Sequence, residues 1–224
     1  MKRIFITIAF FMLSTGLFAG EAWNNHLGFG WRLPTKLTLH SETKGYENLK
    51  MSWQTGLNLS YTGVLMSNGF SVRAIVDQCF TTSNLEIADP DSRISSFPGF
   101  AGDVLAGIGW APVRSKKFFF GFYGMLGLDF AAFYYDTDYF WPSDSKVRRT
   151  QNVYYASFLP GVNATFIWTP TGEHFSLFAT ATVAYSCPTK IFYEYDDGTG
   201  NVKTSCITRG GTKIMPAVGI SWRF

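Results

Sequence analysis

Apolar side chains recur at every second position in eight long segments of the chain, and no other feature of the sequence constrains the fold as tightly. A period of two scatters apolar groups around a helix but lines one face of a strand. In the first segment Leu27, Phe29, Trp31, Leu33, Leu37 and Leu39 share a face, opposed by Gly28, Gly30, Arg32 and Lys36. In the second, Met51, Trp53, Leu57, Leu59 and Tyr61 alternate with Ser52, Gln54, Gly56, Asn58 and Ser60. Six more follow, over Phe70–Phe80, Phe100–Trp110, Phe118–Phe130, Tyr154–Trp168, Phe175–Tyr185 and Ile214–Phe224.

A soluble β-sandwich also alternates, but its strands usually run about five or six residues. The segments here run roughly ten or more, the length at which a tilted strand crosses a bilayer. Their second face is built largely from Gly, Ser, Thr and Asn, which suit a narrow lumen, while Trp and Phe stand near the ends of the apolar face as an aromatic girdle does. The spacers alternate between short, as at Val64–Gly69, Pro112–Lys117 and Thr169–His174, and long, as at His40–Lys50, Thr81–Pro98, Asp136–Asn152 and Cys187–Lys213. The expected fold is therefore all-β: an eight-stranded antiparallel transmembrane β-barrel with short periplasmic turns and longer extracellular loops, closed without a free edge. Pro160 and Pro216 fall inside strands, where the missing N–H predicts bulges or fraying.

Residues 1–20 read differently: Lys2 and Arg3, an apolar run from Ile4 to Phe11, then Ser14, Thr15, Gly16, Ala19 and Gly20. That order of basic, apolar and small residues is a secretory signal peptide, too short for a spanning helix, with cleavage expected near residue 19 or 20. Residues 21–224 suit one domain, the barrel. Aromatic content reaches 18%, yet no later stretch approaches a helical membrane span. Of the net charge of +3, Lys2 and Arg3 supply two, and no basic nucleic-acid motif remains, so nucleic acid is not an expected partner.

Ile220, Trp222 and Phe224 close the chain with a terminal Phe and apolar residues at alternate preceding positions. This resembles the C-terminal signal by which the outer-membrane barrel assembly machinery recognises its substrates. With the leader and eight strands, the whole mature chain resembles the small outer-membrane barrels of OmpA, OmpX and OmpW type. The run Tyr123-Gly124-Met125-Leu126-Gly127-Leu128-Asp129-Phe130 is similar to the Gly-and-aromatic fifth strand of the OmpW group. The resemblance implies residence among outer-membrane lipids and, for the OmpW group, passage of small apolar molecules, with lateral escape through the wall.

An eight-stranded barrel is about wide enough for side chains to fill it. The ionisable groups expected to face inward are Arg32, Arg73 and Arg223 against Asp77, Asp103 and Asp129. They read either as a self-neutralising plug or as an acidic ledge for a cation or basic ligand. Cys187 and Cys206 flank a reversal at Asp196–Asn201, with strand-like runs Lys190–Tyr195 and Val202–Ile207, and are candidates for a disulfide; Cys79 is expected to stay reduced.

His174-Phe175-Ser176 superficially resembles a base-and-hydroxyl pair, but at an inner turn it is misplaced for outer-leaflet lipid. His40-Ser41 and Asp91-Ser92 fall in external loops, where such residues recur by chance. With three histidines and no ligand cluster, neither a catalytic site, a metal nor a cofactor is expected. Three roles stay open: a narrow channel or carrier for small, apolar molecules; a surface-exposed adhesin or ligand-binding barrel acting through its loops, where Tyr139-Phe140-Trp141 is an aromatic cluster; and a purely structural barrel.

Overall fold

The computed structural model describes residues 23–42, 46–87, 97–136, 150–196 and 201–224. The expected leader, Asp91-Ser92 and Tyr139-Phe140-Trp141 lie outside the described residues. Among those described there is no helix, only β1 (Trp23–Leu39), β2 (Tyr46–Leu65), β3 (Phe70–Ile87), β4 (Phe97–Arg114), β5 (Phe118–Asp136), β6 (Thr150–Phe158), β7 (Gly161–Trp168), β8 (Phe175–Ser186), β9 (Lys190–Asp196), β10 (Asn201–Ile207) and β11 (Gly211–Arg223).

These pieces form eight staves, because β6 with β7, β8 with β9, and β10 with β11 are each one stave with a local break. The breaks have identifiable causes. Opposite β5 the register is unchanged across the first, Leu128 facing Phe158 and Met125 facing Gly161, so Pro160 removes its own donor without displacing the ladder. Leu159 N still donates to Gly127 O and Tyr185 N to Pro160 O. The break before β11 sits at Gly210, with φ of 84°, where a Cβ would lie 2.1 Å from Ser186 O and no other residue fits.

Pairing of β1 with β11 closes the sheet antiparallel from His26–Arg223 to Arg32–Ala217. Beyond that point the seam changes character. No ladder pair joins Leu33–Leu39 to Gly210–Pro216, and pairing resumes only at Ser41 and Thr208. Pro34 on β1 and Pro216 on β11 both lie in this interval, and neither can donate a ladder bond. β11 itself runs unbroken through Pro216, which stays in register with Ala181 of β8, so no bulge forms there.

Every stave exposes large apolar groups on its outer face, among them Phe29, Leu57, Phe80, Ile108, Leu126, Val162, Val183 and Ile220. A belt this continuous far exceeds the apolar patch a water-soluble monomer tolerates, and lipid is the solvent that suits it. Alternation assigns most faces correctly, but not at one level. Leu37, Leu39 and Met51 point inward and are buried, whereas Trp31, Leu33 and Trp53 point outward. The β2–β3 register gains one residue between Ser52 and Thr55, and Trp53 there is the one described non-glycine residue with positive φ, 57°. A bulge of that kind reverses the facing of everything beyond it. On β1 the matching shift falls around Thr35, beside Pro34.

The expected hairpin is present, with β9 and β10 paired from Ile207–Lys190 to Asn201–Asp196, but no disulfide staples it. Cys206 faces Ile191, four residues along from Cys187. Four strand residues span about 13 Å, well beyond the roughly 7 Å limit between bridged Cα atoms. Cys206 is buried among inward-facing groups, while Cys187 occupies the step between β8 and β9.

Candidate functional site

Asp77, Asp103 and Asp129 stand directly opposite one another on β3, β4 and β5, all aimed into the lumen. Three like charges in a cross-strand row repel unless cations enter between them. Two cations do so from the opposite wall. Arg32 of β1 bonds through Nη1 to Asp103 and lies 3.5 Å from Asp77, while Lys213 of β11 places Nζ 2.7 Å from Asp103 and 2.8 Å from Asp129. The interleaving thus runs Asp77, Arg32, Asp103, Lys213, Asp129.

Neutral groups complete the layer. Tyr155 donates to Asp129 at 3.1 Å, Asn58 donates to Asp77, and Arg32 Nη2 donates to Gln54 at 3.2 Å and to Thr35 at 3.1 Å. The Thr35 contact depends on the β1 irregularity, so the bulge that reverses the outer staves also shapes the ionic layer. Arg32, Lys213, Asp103 and Asp129 have no exposed surface at all. Because the cations bridge from one wall to the other, they bar the lumen at this level rather than lining it.

Apolar layers lie on both sides. Toward the long connections, Leu37, Leu39, Leu49, Met51, Phe133 and Ile191 fill the interior. Toward the short turns, Leu105, Phe119, Tyr123, Met125, Ile167 and Phe178 form a second buried cluster. Phe178 packs where a Cβ on Gly28, Gly30 or Gly219 would stand, at 3.0, 2.7 and 2.7 Å, so those glycines make room for its ring.

Of the six charged residues expected in the lumen network, Arg32, Asp77, Asp103 and Asp129 converge and two do not. Arg73 faces inward but on the turn side of the layer, bonded to Thr62 with its guanidinium 5.9 Å from the Tyr123 ring centre. Arg223 has inward parity, opposite His26, but stands at the turn-side mouth away from the ionic layer. It sits at the turn end and donates to Lys116 O at 3.0 Å and to Gly172 O, strapping two turns to the last strand. Alternation reports which face a residue occupies but not its height, and Arg223 lies at the mouth rather than at the level of the aspartates. Lys213, by contrast, closes a long spacer in the sequence yet belongs to the strand. Its signal is its parity, since it shares a face with Ser221, Ala217 and Met215.

Ile220, Trp222 and Phe224 point outward, and Phe224 N donates to Asn25 O at 3.0 Å, binding the terminal residue to β1. His174 and Ser176 are not joined: the imidazole stacks on Trp222 and contacts Arg223 O, while the Ser176 hydroxyl is buried against Thr169. Among the described residues no three His, Cys, Asp or Glu side chains converge as metal ligands.

The molecule is a closed eight-stranded antiparallel barrel with an apolar exterior and a plugged lumen, the fold of the small outer-membrane β-barrels. It is similar to a major outer membrane protein of Thermus thermophilus, with a TM-score of 0.64, 13% identity, and coverage of 91% of this chain and 100% of that one. It is also similar to the outer membrane protein OprG of Pseudomonas aeruginosa, with a TM-score of 0.52, 12% identity, and coverage of 90% and 95%. No protein-family model and no curated protein sequence matches the chain. At these identities the likeness is one of fold.

Proposed function

We propose that this protein resides in an outer membrane, exported by its leader with cleavage near residue 19 or 20 and assembled through its terminal Phe224, and that it carries small apolar molecules without holding a standing aqueous pore. The observation that carries the reading is the ionic layer, in which Arg32 and Lys213 cross to three aspartates and leave no exposed surface. A hydrated solute meets buried charge whose pairing it would have to break, a disruption of roughly 3–5 kcal/mol. Two features favour an apolar cargo and a route through the wall. On the long-connection side of the layer the interior is apolar, and there the β1–β11 seam lacks ladder pairs over Leu33–Leu39 and Gly210–Pro216. Separating strands costs least where the fewest ladder pairs hold them. This is the behaviour that the OmpW-like resemblance implies.

The test is uptake of a small apolar fluorophore into liposomes holding the refolded barrel, compared with the double variant Pro34→Thr and Pro216→Val. Restoring two backbone donors should close the seam and reduce uptake toward that of empty liposomes. Uptake unchanged by the double variant, or absent in the wild type, removes the carrier reading and favours a structural or surface-binding barrel. A surface role has its own support in the β9–β10 hairpin, which extends the barrel wall at the long-connection end and carries the exposed pair Lys203 and Glu194 at 2.7 Å.

A further inference from the structure

On the turn side of the ionic layer Arg73 presents a problem the chain does not solve by itself. Its side chain is 2% exposed, yet no carboxylate oxygen lies within 4.0 Å of it among the described residues. The nearest lumen aspartate along its strand is Asp77, four residues and about 13 Å away, already engaged by Asn58 and Arg32. A buried guanidinium cannot escape the cost of burial by losing its proton, because arginine stays protonated in proteins. An uncompensated charge of this kind is strongly unfavourable in a dry interior.

The orientation of the guanidinium says what is missing. Nη1 is satisfied by Thr62, whereas Nε and Nη2 are both buried without a partner. Those two N–H groups form one edge of the guanidinium plane, the fork that grips two oxygens of one oxoanion side by side. The fork is not alone. Arg73 pairs across β2 with Thr62, and Thr62 pairs with His26 of β1, so the three share one row of the lumen wall. His26 is 3% exposed and both of its ring nitrogens lack partners. Ser221 of β11, opposite Gly28 and diagonal to His26, has a buried hydroxyl that also lacks one. His26 and Ser221 thus leave further unmet polar atoms on the same turn-side stretch of the lumen wall, where Arg223 pairs across from His26.

We infer that the turn-side half of the lumen is a site for one small oxoanion, phosphate, sulfate or a simple carboxylate, gripped on the Nε and Nη2 edge of Arg73. Because the orphaned atoms have no exposed surface, the ion is enclosed as the barrel closes and exchanges slowly, as a structural counter-ion does. Thr62 and the Tyr123 ring hold the guanidinium in place for it.

The experiment refolds the barrel from denaturant into synthetic detergent in phosphate, washes it exhaustively into chloride of equal ionic strength, and measures retained phosphate by 31P NMR and chemical assay. About one phosphate per wild-type barrel is expected, with sulfate or acetate in the refolding buffer displacing it competitively. Arg73→Gln should retain none, and Arg73→Lys, which keeps the charge but not the fork, should bind at least about tenfold more weakly. A Lys116→Gln, Lys117→Gln variant of the exposed turn should retain phosphate like the wild type. If Arg73→Gln does not refold, retention by the wild type decides whether the ion is there and Arg73→Lys decides whether Arg73 holds it. No retained anion in the wild type, as water alone in the site would give, overturns the inference, as does retention lost with the turn lysines but not with Arg73.

Discussion

Lys213 Nζ stands 2.8 Å from Asp129 Oδ1 across the barrel interior, a contact between β11 and β5 that neither strand makes through its backbone. It ties opposite walls together, and the same ammonium is shared with Asp103. Replacing Lys213 with Met leaves Asp103 and Asp129 facing each other with one cation fewer. We expect a loss of about 3–5 kcal/mol in unfolding free energy, read by urea titration of tryptophan fluorescence in detergent. A loss below about 1 kcal/mol would mean the layer is hydrated and weakly coupled.

The outward face makes a separate prediction. Leu126 on β5 is 59% exposed amid the apolar belt. Leu126→Arg should destabilise the bilayer-inserted barrel by roughly 2–4 kcal/mol. An effect near zero would place Leu126 outside the hydrocarbon.

These two faces are legible in the sequence because alternation is a property of the strand itself, so Leu126 outward and Asp129 inward follow from parity alone. Parity fails where a bulge inserts a residue: the irregularities at Trp53 and around Thr35 reverse Leu37, Leu39 and Met51, and a register shift leaves no mark in composition. Parity also carries no height, which is why it groups Arg223, at the turn-side mouth, with the mid-lumen aspartates and leaves Lys213 among the loops. The Asp103–Lys213 contact joins residues 110 apart, and no local pattern encodes such a pairing. The disulfide expectation fails likewise, since sharing a loop says nothing of a four-residue offset in register.

Thiol chemistry checks that offset. Unfolded protein purified without reductant should alkylate at Cys79, Cys187 and Cys206 alike. In the folded barrel Cys187, the partly exposed one, should react first, because Cys79 and Cys206 are buried. A bridged Cys187–Cys206 peptide in oxidised material would contradict the register.

At the hairpin, the hydrogen bond from Lys203 holds the Glu194 carboxyl below its ordinary pKa of 4.5. A depressed acid contributes its stabilisation above the unfolded-state pKa and loses it as pH falls through the folded one, so this pair weakens only below about pH 4.5. In NMR titration Glu194 should have its midpoint below 4.5, and Lys203→Met should move it upward. An unmoved midpoint would show the pair to be absent in solution.

Deleting Phe224 removes the outward terminal aromatic and the bond from its N–H to Asn25 O. Export should be unaffected while outer-membrane assembly falls, measured by heat-dependent gel mobility and by surface protease protection. Normal surface levels would remove the terminal residue from the assembly signal.

Planar-bilayer recording of the refolded wild-type barrel tests the closed lumen most directly. With Arg32 and Lys213 crossing to Asp77, Asp103 and Asp129, the expected record is flat, with no steady ohmic steps in simple salt. Stable open steps from the wild type, unaltered by Lys213→Met, would contradict the account, because ions would then be passing a level at which the structure leaves them no path.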